Sequence, residues 1–202
     1  MFVLRVKPNG SCLFISLRLG LEVSKLLKVN EKGVGLVDGY NDKVLESAER
    51  LRSMICDWYL NGLSKQLPGF EANGESKPGE EGTKSIPWTR ADLVAMESSN
   101  LSSGDIPDPG PERLKLVLRY LEHVKRPRTW GGVPEYTAFS YMSKLDVEVY
   151  RDGRLYQKVQ QQNTLGTVRL LFSGSCHYDL LLSTQDAERI QMLLPNTKLE
   201  KI

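Results

Sequence analysis

A cysteine at position 12 follows Pro8-Asn9-Gly10-Ser11 and precedes Leu13-Phe14. The run before this turn, Met1 to Val6, reads as a strand and the run Ser11 to Leu27 as a helix. The sulfur therefore falls at a helix N-terminus, where unpaired backbone N–H groups and the positive dipole end favour a thiolate. The turn itself, Asn9, Gly10 and Ser11, can aim amides of Gly10 to Cys12 at an oxyanion, so one loop supplies both attacking group and oxyanion hole. Near the other end, Cys176-His177-Tyr178-Asp179 opens the apolar run Leu180-Leu181-Leu182. Alternation along a strand puts His177 and Asp179 on one face, where the carboxylate can hold the imidazole tautomer while the other ring nitrogen faces a thiol. Nucleophile, base and orienting acid are thus all present. The bland alternative for Cys12 is a small buried hydrophobe, and Cys176, beside the base, is a minor alternative thiol.

These residues carry a resemblance. Asn9-Gly10-Ser11-Cys12-Leu13-Phe14, the run Thr129 to Ser140 (TWGGVPEYTAFS) and His177-Tyr178-Asp179 are similar to the boxes D-G-x-C-L-F, W-G-x-x-x-E-x-x-A and H-Y-[DN] of the ovarian-tumour (OTU) cysteine peptidases. The boxes stand in the family's order and span nearly the whole chain. The resemblance implies a papain-like α/β (α+β) fold, with a small, mostly antiparallel sheet packed between helices. It also implies hydrolysis of the (iso)peptide bond after the C-terminal Gly-Gly of ubiquitin by Cys12, His177 and Asp179. Ubiquitin or polyubiquitin is then the partner, with Trp130, Glu135 and Tyr178 beside the substrate and no cofactor. The residues themselves offer a plainer role for the middle box: Gly131-Gly132 for a tight turn, Trp130 as core and Glu135 as a helix N-terminal acid.

One position departs from the pattern. Asn9 stands where the family has Asp; it keeps a side chain suited to a turn but lacks the charge, which implies a preserved loop and lowered activity. The rival readings are a catalytically weak ubiquitin-binding or scaffolding module, and a peptidase for a ubiquitin-like modifier.

The 202 residues suit a single domain, 1–202, with a real core. A net charge of +2 implies neither a nucleic-acid field nor an acidic tail. Lys125-Arg126-Pro127-Arg128 reads as a solvated helix end. Three scattered cysteines argue against a disulfide framework and for a reducing compartment. With no signal-like N-terminus, no long apolar run and no paired metal-ligand spacing, the expectation is a soluble cytoplasmic or nuclear protein without metal. Oligomeric state is not legible.

The elements that must position these groups follow from pattern. Helical spacing through Leu13, Phe14, Leu17, Leu21 and Leu26 buries one stripe of the first helix. Gly33, Gly35 and Gly39 read as turn residues. A long helix, about Asp42 to Gln66, carries Trp58 and Tyr59 toward the core, with Cys56 structural. The segment 68–87, rich in Gly, Pro and Glu, reads as a mobile loop. Helices follow over Trp88–Met96, Glu112–Lys125 and Glu135–Leu145, with loop from Ser98 to Pro111 and His123 on a surface or helix end. Then come two hairpins, Val147–Val159 around Asp152-Gly153 and Val168–Leu182 around Ser173-Gly174-Ser175. A last helix, Gln185–Leu194, and a fraying tail, Pro195–Ile202, complete the chain.

Overall fold

The computed structural model describes residues 1–26, 42–71, 87–102, 108–193 and 198–202. Gly33, Gly35 and Gly39, and most of the 68–87 segment, lie outside them. The described chain is mixed α/β and divides into two compact units, Met1–Ile55 with Val124–Ile202, and Cys56–His123.

The first unit is built on a six-stranded sheet ordered β5-β4-β6-β7-β1-β8. Its strands are β1 (Phe2–Leu4), β4 (Asp146–Arg151), β5 (Arg154–Val159), β6 (Thr167–Ser173), β7 (His177–Leu182) and β8 (Glu200–Lys201). All neighbours run antiparallel except β4 and β6. Both expected hairpins form. Asp152 and Gly153 take positive φ at the first turn, as a two-residue turn between twisted strands requires. The second turn delivers His177 as the first residue of β7, opposite Ser173.

Helix α1 (Cys12–Leu26) lies against β6 and β7. The approach is close because Gly20 has no side chain: a Cβ there would stand 2.5 Å from Val168 Cγ1. Leu13, Phe14, Ile15 and Leu17 are buried, so the stripe read from the sequence fixes the helix's roll and the place of the residue at its start. Helix α5 (Val133–Ser143) packs on α1 and β4, and α6 (Thr184–Leu193) on β7. The α6 N-terminus is closed reciprocally, Asp186 N–H donating to Ser183 Oγ at 3.1 Å while Asp186 Oδ2 accepts the Ser183 hydroxyl at 2.7 Å.

Two expectations change in this unit. The described part of the expected fraying tail, 198–202, is instead tied down: β8 pairs with the outer edge of β1, Val3 opposite Glu200, which satisfies backbone groups that edge would otherwise leave unpaired. Trp130 is not core; it is 61% exposed.

In the second unit, α2 (Asp42–Leu60), which begins in the first unit, stops at Asn61-Gly62, short of the expected Gln66. Residues 66–71 then form β2, paired with β3 (Pro87–Thr89), so the ends of the expected 68–87 loop are strand. Helix α3 (Arg90–Ser102) runs further than the spacing indicated, and α4 (Pro111–Val124) ends with His123 exposed. Tyr59 is fully buried, Trp58 carries Arg90 3.3 Å above its ring, and the Cys56 thiol points to the Leu121 carbonyl at 3.7 Å. Among the described residues no helix is long and apolar enough to cross a membrane.

Candidate active site

The loop before α1 is shaped by its own side chains. Asn9 N–H donates to Lys7 O at 3.0 Å and Asn9 Oδ1 accepts the Ser11 N–H at 3.0 Å, a local turn that an aspartate at this position could also close. Gly10 has φ +78°, and a Cβ on it would come within 1.9 Å of the Arg128 carbonyl oxygen, so both conformation and space demand glycine. Ser11, fully buried, ends the loop: its carbonyl accepts the first helical bond from Ile15 at 2.9 Å. Its hydroxyl donates to Glu49 Oε1 at 2.6 Å and accepts from Arg52 at 2.9 Å.

Arg52 organises this corner and was not anticipated. Its side chain is wholly buried and lies 3.9 Å from the Phe14 ring centroid. It donates to Val124 O at 2.9 Å, Thr129 O at 2.7 Å and Glu49 Oε2 at 2.8 Å, besides the Ser11 hydroxyl. One guanidinium thus joins α2, the Cys12 loop and the segment leading into the Trp130 box, all within the first unit. A signal did exist: Arg52 sits in the stripe Ala48, Arg52, Ile55, Tyr59, where the other three positions are apolar and buried.

Cys12 is the first residue of α1 and is 4% exposed. Its Sγ lies 3.7 Å from the Cys176 carbonyl oxygen, in line for a thiol donor. Burial pushes the Cys12 thiol up from its ordinary pKa, and the nearby Cys176 thiol adds to this. The backbone N–H groups of Tyr178, Leu13 and Cys12 pull the other way. The helix-end expectation of a favoured thiolate is therefore outweighed by desolvation, the reason being that the N-terminus of α1 is covered and not open to water. Cys176 O and Tyr178 N–H flank His177 in the chain, so the sulfur rests against backbone on both sides of the histidine.

His177 Nε2 is 3.0 Å from Asp179 Oδ1. Asp179 is fully buried, and its Oδ1 also accepts the Val6 N–H at 2.7 Å, while Oδ2 accepts from Arg5 at 2.8 Å. A carboxylate that only accepts puts the imidazole proton on Nε2 and leaves Nδ1 as an acceptor. Nδ1 is buried and has no hydrogen-bond partner among the described residues.

The remaining residues divide. Glu135 is fully buried and its Oε2 accepts the Gly132 N–H at 2.6 Å, closing the start of α5. Gly131 lets that turn press on α1, since a Cβ there would be 3.1 Å from both Leu13 Cδ2 and Phe14 Cε2. Tyr178 is buried, its ring centroid 4.8 Å from that of Phe172. Its carbonyl accepts the Ser16 hydroxyl at 3.1 Å. Trp130 alone of these side chains is broadly open to solvent.

No family model matches the chain, and no curated protein does. Solved structures similar to it include an OTU deubiquitinase from Wolbachia pipientis wMel, at 16% identity over 93% of this chain and 95% of that one, with a TM-score of 0.48. The same kind of protein from wMel bound to ubiquitin gives 17% identity over 91% and 97%, with a TM-score of 0.44. The Hazara virus OTU bound to ubiquitin gives 14% over 90% and 83%, with a TM-score of 0.41.

Proposed function

We propose that the chain is a cysteine-type deubiquitinase, a single catalytic domain over 1–202 that hydrolyses the bond after a ubiquitin C-terminal glycine. The observation that carries the chemistry is the Cys12 sulfur resting against the backbone on both sides of His177, with the imidazole's Nε2 held by buried Asp179 and its Nδ1 without a partner among the described residues. The substrate class rests on the resemblance of the three sequence boxes to the OTU peptidases.

In the resting site the Cys12 thiol keeps its proton, because burial raises its pKa. His177 Nδ1 takes the Cys12 proton as the sulfur attacks the glycine carbonyl carbon, and the carbonyl oxygen becomes an oxyanion. Of the amides expected to receive that oxyanion, Ser11 N–H is already committed to Asn9 Oδ1, so Gly10 and Cys12 N–H are assigned the role. Collapse breaks the C–N bond, Nδ1 returns the proton to the leaving amine, and a thioester remains on Cys12. Water, deprotonated by Nδ1, then cleaves the thioester to a carboxylate and regenerates the thiol. Asp179 orients the ring and stabilises its charged form. Of the three residues expected beside the substrate, Trp130 is exposed and is assigned contact with a bound tail, whereas buried Glu135 and Tyr178 support the framework. A free thiol of this kind works in a reducing compartment, cytoplasmic or nuclear.

The test is hydrolysis of a ubiquitin C-terminal amide reporter. Wild-type protein turns it over, Cys12→Ala does not while keeping its thermal unfolding midpoint, and Asn9→Asp turns it over severalfold faster. Turnover retained in Cys12→Ala would remove the assignment. Saturable binding without turnover would favour a scaffolding module, and turnover only of reporters made from a ubiquitin-like modifier would redirect the substrate.

A further inference from the structure

The carboxylate of Asp179 holds more than the imidazole. Its second oxygen, Oδ2, accepts from Arg5 Nη1 at 2.8 Å, and Arg5 Nε donates to Glu200 Oε2 at 2.7 Å. Arg5 stands one residue beyond the last β1–β7 pair, Leu4 opposite Leu180, where the chain leaves the sheet. There the Val6 N–H, no longer facing a strand carbonyl, turns to Asp179 Oδ1. Glu200 reaches the same place from the opposite side because β8 pairs with β1. A line of side chains, Glu200, Arg5, Asp179, His177, therefore runs from the edge of the sheet to the base.

We propose that Arg5 is a positioning residue for the His177–Asp179 pair, fixing the orientation of the carboxylate by holding the oxygen that the imidazole does not use. The inference rests on the reading of Cys12 and His177 as the reacting pair. A carboxylate is two-fold about its last torsion, and that torsion is soft. With Oδ2 bound by a guanidinium and Oδ1 by the Val6 amide, the carboxylate plane is set, and with it the ring's tilt. Arg5 also places a positive charge beside Asp179, which moderates how strongly that carboxylate favours the imidazolium. The direction of the neighbouring pKa values agrees: Arg5 is raised by Glu200 and then Asp179, and Glu200 is held below its ordinary value by Arg5. The titratable groups facing Asp179 are Arg5, Glu200 and His177.

The chain has two histidines, so an NMR titration of the intact protein follows His177 directly, with exposed His123 as internal control. Arg5→Gln removes the positive charge next to Asp179, the imidazolium gains, and the His177 midpoint rises by about half a unit or more while His123 stays. The acid limb of reporter kcat moves up with it, KM changes little, and Arg5→Lys restores most of both. Arg5 is half-exposed at a strand end, so the variant keeps its unfolding midpoint within a few degrees. An unmoved His177 midpoint in folded Arg5→Gln overturns the inference. If wild type fails to hydrolyse the reporter and Arg5→Gln still moves His177, the proposed activity falls and the positioning contact stands.

Discussion

Cys12 is held in a conflict that defines how it must react. The N-terminus of α1 and three backbone N–H groups favour its thiolate, yet burial wins and the thiol is raised above its ordinary value. At neutral pH the sulfur is therefore protonated, and deprotonation needs an acceptor beside it. The proposed acceptor is His177 Nδ1, which has no hydrogen-bond partner among the described residues. Alkylation by iodoacetamide, read by intact mass against pH, tests the division of labour. In His177→Ala the Cys12 rate climbs only as pH passes above the free-thiol value of about 8.5, because nothing but hydroxide removes the proton. Wild type at pH 7 reacts about a hundredfold faster than the variant, the usual worth of a positioned base. Equal profiles for the two proteins would mean that the imidazole does not serve the thiol. Cys12, His177 and Asp179 were legible in the sequence because each is marked by its nearest neighbours: a Pro-Asn-Gly turn before a helix, and two polar residues at strand spacing. Arg5 was not, since its partners Asp179 and Glu200 lie 174 and 195 residues away and no local pattern announces them.

Among elements, the long helices and both hairpins could be read because hydrophobic period and an Asp-Gly turn are local signals. Helix ends were less legible. α2 stops at Asn61-Gly62 although apolar residues continue beyond it, and β8, two residues long, carries no periodicity at all. The decisive contact between elements is a charge in a core position. Arg52 bridges α2, the Cys12 loop and the segment before α5 through backbone carbonyls and a serine hydroxyl, so its loss leaves several acceptors buried and unpaired. Arg52→Ala should lower unfolding free energy by about 3–5 kcal/mol in a denaturant titration, the cost expected when one member of a buried charged network is removed. A change under about 1 kcal/mol would show that the corner is held by packing alone. The same network explains why Gly10 has no substitute: the turn it makes is pressed against Arg128 O by a loop that Arg52 fixes at Thr129.

For the molecule as a whole, every residue assigned to the reaction lies in the unit formed by Met1–Ile55 and Val124–Ile202, where β1, from the start of the chain, pairs with β7 and β8 from its last third. That long-range closure brings Cys12 against the backbone flanking His177, and it was legible only as an implication of the order of the sequence boxes. The most direct measurement is covalent capture by ubiquitin carrying an electrophile at its C-terminus, with the modified residue located by peptide mass. The account predicts a single adduct on Cys12, absent in Cys12→Ala and strongly slowed in His177→Ala. A folded wild-type chain that forms no adduct, or forms it on Cys176 instead, contradicts it.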